Sequence, residues 1–167
     1  MLHRVISSKG GRGIYVVPLK ALASEKHEEI QALCENIGLR TSLALGDRGE
    51  EMGSLHDWDV LVCTSERLDS LIRTRQNFLD NVEVIVIDEF HLLDDPGRGP
   101  TLEIIIARIR HERPNCQIIA LSATVGNSDS VANWLKADLV KSEWRPVELQ
   151  TGTVNGLDLK IHRIDGM

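Results

Sequence analysis

Residues 82–91 read Val-Glu-Val-Ile-Val-Ile-Asp-Glu-Phe-His, and this stretch decides the fold. A run of mostly β-branched residues with one charge is typical of a strand buried on both faces, as in a parallel sheet. The run ends in Asp88 and Glu89, with His91 two residues further on. Ligands bind at the carboxyl ends of the strands in open α/β sheets. The stretch alone fits a ligand site and a plain polar turn equally well.

The two acids suit a site that hydrolyses phosphates. Asp88 can hold Mg²⁺, usually through water, because Mg²⁺ keeps several of its waters in proteins. Glu89 can orient or deprotonate an attacking water molecule. The choice between this chemistry and a plain turn depends on the rest of the chain.

Residues 14–140 alternate between short apolar runs and helical periodicity, which predicts a doubly wound, mostly parallel α/β sheet. Thr64-Ser65 is placed to cap the helix that follows the third strand. The apolar spacing of residues 22–37 predicts a helix with Leu33 and Ile37 on its packed face. The predicted strands cover residues 14–17, 40–45, 59–63, 82–87 and 117–121.

Composition excludes several classes of protein. The net charge of −6 argues against general polyanion binding, and aromatic residues at 4% argue against broad base-stacking surfaces. The three scattered cysteines form no zinc motif and suit buried thiols in a reducing cytoplasm. The sequence shows no membrane span and no signal peptide, so we expect a cytoplasmic protein.

The end of the chain has a different character. Residues 147–154 and 157–164 flank Asn155-Gly156, the strongest short signal for a β-hairpin. We therefore divide the chain into residues 1–142, a single α/β domain, and residues 143–167, an exit segment with a hairpin.

Four short motifs stand at predicted strand ends in a fixed order. They are Pro-Leu-Lys-Ala-Leu-Ala at 18–23, Thr-Ser-Glu-Arg-Leu at 64–68, Asp-Glu-Phe-His at 88–91 and Ser-Ala-Thr at 122–124. The set resembles motifs Ia, Ib, II and III of the first RecA-like domain of superfamily-two DExH-box helicases, a fold of the P-loop NTPase type. Arg-Gly-Pro-Thr-Leu-Glu at 98–103 and Trp-Arg-Pro-Val at 144–147 resemble the Ski-like branch, with archaeal DNA-repair helicases as the closest fit.

The resemblance implies a role for each matching residue. Asp88 would hold the Mg²⁺ of MgATP and Glu89 would activate the hydrolytic water. Coupling of the nucleotide to a second RecA-like domain would fall to His91, Ser122 and Thr124. Contacts to the phosphates of single-stranded or forked DNA, with RNA not excluded, would come from Pro18, Lys20, Thr64 and Arg67. An archaeal source would make the protein nucleoid-associated.

Ordinary structural roles stay open for several of these residues. Lys20 also fits a solvated helix position, and Ser122 also fits a polar strand end. Arg73 and Arg75 suit plain surface charge better than a nucleic-acid site. The three tryptophans suit packing better than base stacking; they are Trp58, Trp134 and Trp144.

The sequence lacks the phosphate-binding pattern G-x-x-x-x-G-K-[S/T]. The resemblance places that loop upstream of Met1, on a strand inside the sheet, and places a second RecA-like domain with its arginine finger beyond Met167. Such a finger alone is worth roughly three to five powers of ten in rate. We therefore expect a fragment of an ATP-dependent, 3′-to-5′ DNA helicase that turns over little ATP by itself.

Two other hypotheses belong to different classes. The chain could be a non-catalytic nucleic-acid-binding module derived from a helicase, whose binding weakens as salt rises and ignores ATP. It could also be a structural domain that forms homo-oligomers, because a missing strand leaves a gap or an unpaired sheet edge that invites another chain.

Overall fold

The computed structural model describes residues 1–45, 57–123, 126–142, 144, 147, 151–156 and 158–162. The chain forms two compact units, Met1–Val125 and Gly126–Met167. The first unit contains a five-stranded, all-parallel sheet, and the second contains a helix and a two-stranded hairpin. The predicted α/β fold is confirmed, whereas the exit segment from residue 143 onward stays a prediction.

The elements follow the order predicted from the sequence. Each of the five predicted strands is present, and its bounds lie within two residues of those expected. The first unit contains α1 (Leu2–Ser7), β1 (Arg12–Val17), α2 (Lys20–Glu35), β2 (Thr41–Ala44), β3 (Val60–Thr64), α3 (Ser65–Thr74), β4 (Val82–Ile87), a 3₁₀ helix (Phe90–Asp94), α4 (Gly99–Glu112) and β5 (Gln117–Ala120). The second unit contains α5 (Ser128–Leu135), β6 (Thr151–Asn155) and β7 (Asp158–His162).

The strand order of the sheet is β2-β3-β1-β4-β5. Each strand is hydrogen-bonded to the next, so the sheet formed by the described residues has no internal gap. In that part of the chain β5 has a neighbour on one side only, and Gln117 and Ala120 are exposed on it. The sequence left open whether a missing strand leaves a gap inside the sheet or an unpaired edge strand. The described strands have an unpaired edge at β5 and no gap.

The central strands are buried on both faces, as the apolar runs predict. Every residue of β3 is buried, and in β4 only Glu83 is partly exposed. The Glu83 carboxylate lies 3.5 Å from the Arg4 guanidinium and 3.4 Å from the Arg113 guanidinium. The single charge in the run is thus paired where β4 begins, which lets the rest of the strand be wholly apolar.

Helices cover the two faces of the sheet. Ile30 and Cys34 of α2 pack with Val17, Val60 and Val62 in one apolar cluster. On the other face, α3 and α4 pack against each other and bury a second apolar set: Leu68, Leu71, Leu102, Ile105, Ile106 and Ile109. Each such aliphatic side chain contributes about 1.5–3 kcal/mol when it is fully buried.

The prediction for the packed face of α2 is wrong at two positions. Leu33 is 58% exposed and Ile37 is 46% exposed. The face that packs on the sheet runs through Ala23, Ile30 and Cys34. Leu33 is one residue from Cys34 and therefore projects about 100° away from that face. The apolar periodicity indicated a helix correctly but made its buried stripe too wide.

The second unit contains the predicted hairpin. β6 and β7 are antiparallel, and Asn155 pairs with Asp158 next to the turn. Gly156 has a φ of 62°, a left-handed conformation that glycine adopts without strain. The pairing covers Thr151–Asn155 and Asp158–His162, while residues 148–150, 157, 163 and 164 of the predicted strands lie outside the described residues.

The three tryptophans differ in burial. Trp58 is 1% exposed and packs beside Phe78, with a ring-centroid distance of 6.0 Å. Trp134 is 43% exposed and Trp144 is 79% exposed. The predicted packing role is confirmed for Trp58 and wrong for Trp144.

Within the described ranges, no helix is long and apolar enough to cross a bilayer.

Candidate functional site

The sheet topology brings the four sequence motifs to the carboxyl ends of the parallel strands, which form the carboxyl edge of the sheet. In β3-β1-β4-β5, Val17 pairs with Thr64 and Ile87 pairs with Ala120, so the four strands end side by side. The residues predicted to bind nucleic acid lie at or just beyond the carboxyl ends of β1 and β3; they are Pro18, Lys20, Thr64 and Arg67. The residues predicted to hold and hydrolyse the nucleotide, Asp88 and Glu89, follow β4. Of those predicted to couple the nucleotide to a second domain, His91 also follows β4 and Ser122 follows β5.

Asp88 is held on both of its carboxylate oxygens. The Tyr15 hydroxyl donates to Oδ2 at 2.9 Å, and the Glu89 backbone N–H donates to Oδ1 at 2.9 Å. The Asp88 backbone N–H donates to the Val16 carbonyl, which continues the β1–β4 ladder past the end of β4. A carboxylate oxygen has two lone pairs, so each oxygen keeps one for an external ligand.

The hydroxyl of Tyr15 is a firm donor in this contact. Burial raises the pKa of Tyr15, and the hydrogen bond to Asp88 and the negative charge of that residue raise it further. The phenol is therefore protonated at neutral pH. Sequence reasoning missed this contact because 73 residues separate the partners. One signal was available: Tyr15 is the chain's single tyrosine and stands inside the otherwise apolar run 14–17.

Glu89 has an unusual backbone conformation, with φ 50° and ψ 46°. This left-handed region is uncommon for residues other than glycine and costs about 1–2 kcal/mol. The conformation turns the chain sharply from β4 into the 3₁₀ helix. The Glu89 side chain is 42% exposed, so its carboxylate reaches solvent at the sheet edge. Strained residues of this kind cluster at functional sites.

His91 lies next to Glu89 on the 3₁₀ helix. Its Nδ1 atom is 3.3 Å from Glu89 Oε2, but the pair lacks the alignment of a hydrogen bond, and Nδ1 has no other partner within the described part of the chain. The side chain of His91 is 40% exposed. The structure thus keeps both polar groups at the edge without tying one firmly to the other.

The segments after β4 and β5 are joined by backbone hydrogen bonds. Leu121 N–H donates to the Ile87 carbonyl at 2.9 Å, and Phe90 N–H donates to the Leu121 carbonyl at 2.8 Å. Ser122, the next residue, is exposed beside this ladder. The ladder places Ser122, the first residue of motif III, next to the segment that carries the acids, whereas Thr124, its last residue, lies outside the described residues.

Thr64 and Arg67 share one helix start. The Thr64 hydroxyl oxygen accepts the Arg67 backbone N–H at 3.3 Å, which confirms the predicted cap of α3. Thr64 is only 5% exposed. The Arg67 Nε atom is buried and has no hydrogen-bond partner among the residues that the structure describes.

Pro18 and Lys20 lie at the neighbouring helix start. Pro18 is half-buried and Lys20 is exposed as the first residue of α2. The residue before it, Leu19, provides no side-chain cap. The first backbone N–H groups of a helix have no partner within that helix, so an uncapped start presents donors to an anion.

A small cleft at the carboxyl edge contains Arg98, a residue that the sequence analysis associated only with a branch of the helicase family. Arg98 lines it together with Pro18, Ser65 and Asp88. A Cβ atom on Gly99 would collide with the Leu93 carbonyl oxygen, so only glycine lets α4 start this close to the 3₁₀ helix. The Arg-Gly pair thus positions Arg98 in the cleft that Asp88 also lines, although no signal in the sequence indicated that position.

The donor set at this edge fits Mg²⁺ rather than a metal held by protein ligands alone. No group of three His, Cys, Asp or Glu residues that could hold a metal occurs in the ranges that the structure describes. Burial raises the pKa of the Cys63 thiol to about 12, which keeps it protonated. Mg²⁺ is commonly held by one or two carboxylates, waters and substrate phosphates, and Asp88 with its free lone pairs suits that arrangement.

The family model of the DEAD/DEAH box helicases matches residues 1–131 of this chain. The chain belongs to this helicase family. The matched residues include all four motifs, so the resemblance inferred from them is confirmed. The all-parallel α/β sheet agrees with the RecA-like domain expected for a helicase.

Several curated helicases are similar to the chain. ATP-dependent DNA helicase Hel308 of Methanocaldococcus jannaschii is 48% identical over 141 residues, which cover 84% of the chain and 12% of that protein. The Hel308 proteins of Methanocella arvoryzae and Pyrobaculum calidifontis are 44% and 49% identical, each over 89% of the chain and 21% of the relative. The chain thus spans about a fifth or less of the length of these helicases.

Proposed function

We propose that this chain forms one wall of an ATP-driven DNA helicase motor. The observation that supports the proposal is the strand order at the carboxyl edge. The β3-β1 half carries the residues suited to a nucleic-acid backbone, and the adjacent β4-β5 half carries the acids suited to a nucleotide. ATP hydrolysis and DNA binding would therefore occur side by side at the carboxyl edge of the sheet.

On the nucleotide half, Asp88 would hold Mg²⁺ through water with the lone pairs that Tyr15 and Glu89 leave free. The bound ion supplies charge neutralisation and a template for the phosphates. The exposed Glu89 carboxylate orients the attacking water and accepts its proton. His91 and Ser122, with Thr124, would relay the nucleotide state to a second motor domain.

On the nucleic-acid half, Lys20 and the uncapped start of α2 suit a phosphate of single-stranded or forked DNA. The guanidinium of Arg67, whose Nε atom has no hydrogen-bond partner among the described residues, suits a second phosphate, and Pro18 and Thr64 complete the surface. Phosphate contacts of this kind give affinity without reading sequence. The DNA substrate and the 3′-to-5′ direction of movement are part of the proposal, with RNA as the alternative substrate.

ATP turnover by this chain alone is expected to be negligible. Its sequence has no Gly-Lys-Ser/Thr phosphate loop to cradle the phosphates. Phosphoryl transfer depends almost entirely on positioning and electrostatic stabilisation, so two acids without that cradle achieve little.

The test is ATP hydrolysis with and without single-stranded DNA. The chain would be assayed beside a version extended by the flanking coding sequence of its gene. We expect DNA-stimulated hydrolysis in the extended protein only, abolished by Glu89→Gln and preserved in Glu112→Gln, an exposed site at the end of α4. Full activity in the Glu89→Gln variant would refute the proposal.

The exposed edge strand favours a second candidate function, assembly with another chain. β5 has a strand on one side only within the described residues, and Leu121 just beyond it is 41% exposed. Such an edge is a template for strand pairing. Light scattering coupled to size exclusion would test it, and a monomer at all concentrations would exclude it.

A non-catalytic nucleic-acid-binding module would instead bind single-stranded nucleic acid in a salt-dependent, ATP-independent way.

A further inference from the structure

We infer that Tyr15 is a positioning residue for the metal-holding carboxylate of Asp88. The inference rests on the proposed function, because it concerns how the nucleotide half of the edge is built. It assigns a role to a strand residue that none of the four motifs includes.

The geometry of the sheet explains why a tyrosine stands at this position. Tyr15 pairs with Val86 across β1 and β4, and Asp88 lies two residues further along on the same face. Two residues of a strand span about 6.6 Å, a distance that a tyrosine side chain covers. The ring crosses the end of the strand pair and its hydroxyl meets Oδ2 at 2.9 Å.

Two donors fix the plane of the Asp88 carboxylate. The terminal torsion of an aspartate is broad, so one hydrogen bond leaves the group free to turn. With the Glu89 N–H on Oδ1 and the Tyr15 hydroxyl on Oδ2, both oxygens are held. The remaining lone pairs then point in fixed directions, which is what water-mediated binding of Mg²⁺ requires.

The surroundings show that the hydroxyl serves Asp88 rather than packing. The ring of Tyr15 packs beside the apolar cluster of Val17 and α2, a place that phenylalanine would fill equally well. A hydroxyl adds nothing to that contact, and its hydrogen bond goes to the acid at the sheet edge. Partners of metal-holding groups typically change metal affinity or activity by about 10–100-fold when they are removed.

The test measures metal binding directly. Mn²⁺ would replace Mg²⁺ as a spectroscopic probe and be titrated with ADP into the protein with its flanking coding sequence, using electron paramagnetic resonance. We expect Tyr15→Phe to weaken Mn²⁺ binding by about 10–100-fold. Thr74→Val removes a hydroxyl that bonds the Ser70 carbonyl on the exposed side of α3 and should leave Mn²⁺ binding unchanged.

A double-mutant cycle separates positioning from packing. In an Asp88→Asn background the metal-holding group is gone, so Tyr15→Phe should weaken Mn²⁺ binding no further. A merely structural tyrosine would lower the unfolding temperature and leave Mn²⁺ affinity intact, which would overturn the inference. Wild-type protein that binds no Mn²⁺ with ADP would overturn the proposed function, and the inference with it. A wild type that binds, beside a variant that binds equally, would overturn the inference alone.

Discussion

Replacing Glu89 by glycine and, separately, by alanine measures the strain in the backbone at the acid site. Its φ of 50° and ψ of 46° lie where a Cβ atom is unfavourable. Glycine has no Cβ and removes that penalty, whereas alanine keeps it. Both changes delete the carboxylate, so the difference in unfolding free energy between the two variants reports the backbone alone.

The expected difference follows from two opposing effects. A left-handed conformation costs an L-residue about 1–2 kcal/mol. Glycine loses more conformational freedom on folding, which offsets about 0.5–1 kcal/mol. Taking the middle of each range, the glycine variant should therefore be more stable than the alanine variant by about 0.5–1 kcal/mol. For a chain of 167 residues this raises the unfolding temperature by about 1–4 °C.

Chemical and thermal denaturation of the two variants provide the assay. Glu28 supplies a matched control, because it is exposed in the middle of α2. There the order should reverse, since glycine in a helix interior is about 1 kcal/mol less favourable than alanine. If alanine at position 89 is as stable as glycine, the left-handed backbone stores no strain and the reasoning fails.

Three further predictions concern stability. Thr64→Val removes the oxygen that accepts the Arg67 N–H and should cost about 0.5–2 kcal/mol in chemical denaturation, whereas Thr64→Ser should retain most of that stability. Ile106→Ala leaves a cavity at a fully buried site and should cost about 2–5 kcal/mol in the same assay. The hydrogen bond from Arg40 lowers the pKa of Asp59 below its ordinary value of 3.8, so this pair stabilises the fold above that pH and loses its effect as the pH falls through the lowered pKa. Asp59→Asn should therefore destabilise the protein at neutral pH and have little effect at a pH of about 2, measured by denaturant midpoints.

The sequence predicted the fold well because the fold depends on local patterns. The buried strands β3 and β4 appear as largely apolar runs, and the cap of α3 appears as Thr64 before a periodic stretch. The alternation of strands and helices then favours parallel pairing, since a crossover through a helix returns the chain so that the next strand runs in the same direction. That preference was enough to place the four motifs at one edge.

The features that the sequence did not reveal depend on contacts between distant residues. Periodicity does not say that β1 lies between β3 and β4, and only that order lets Tyr15 reach Asp88. The left-handed turn at Glu89 has no local signal, because glycine or asparagine would be expected there. Leu33 was misplaced for a related reason: the extent of the buried stripe on α2 is set by the sheet beneath it.

The backbone ladder beyond β4 and β5 has a mechanical consequence. The Leu121 N–H donates to the Ile87 carbonyl, and the Leu121 carbonyl accepts the Phe90 N–H. The segments that follow β4 and β5 are therefore joined and should move together. Neither segment swings outward without breaking bonds on the other, and their amide hydrogens should exchange with solvent as a single opening unit. A displacement that begins at Asp88 is therefore transmitted to Ser122 through these backbone hydrogen bonds, and side-chain contacts are not needed for it.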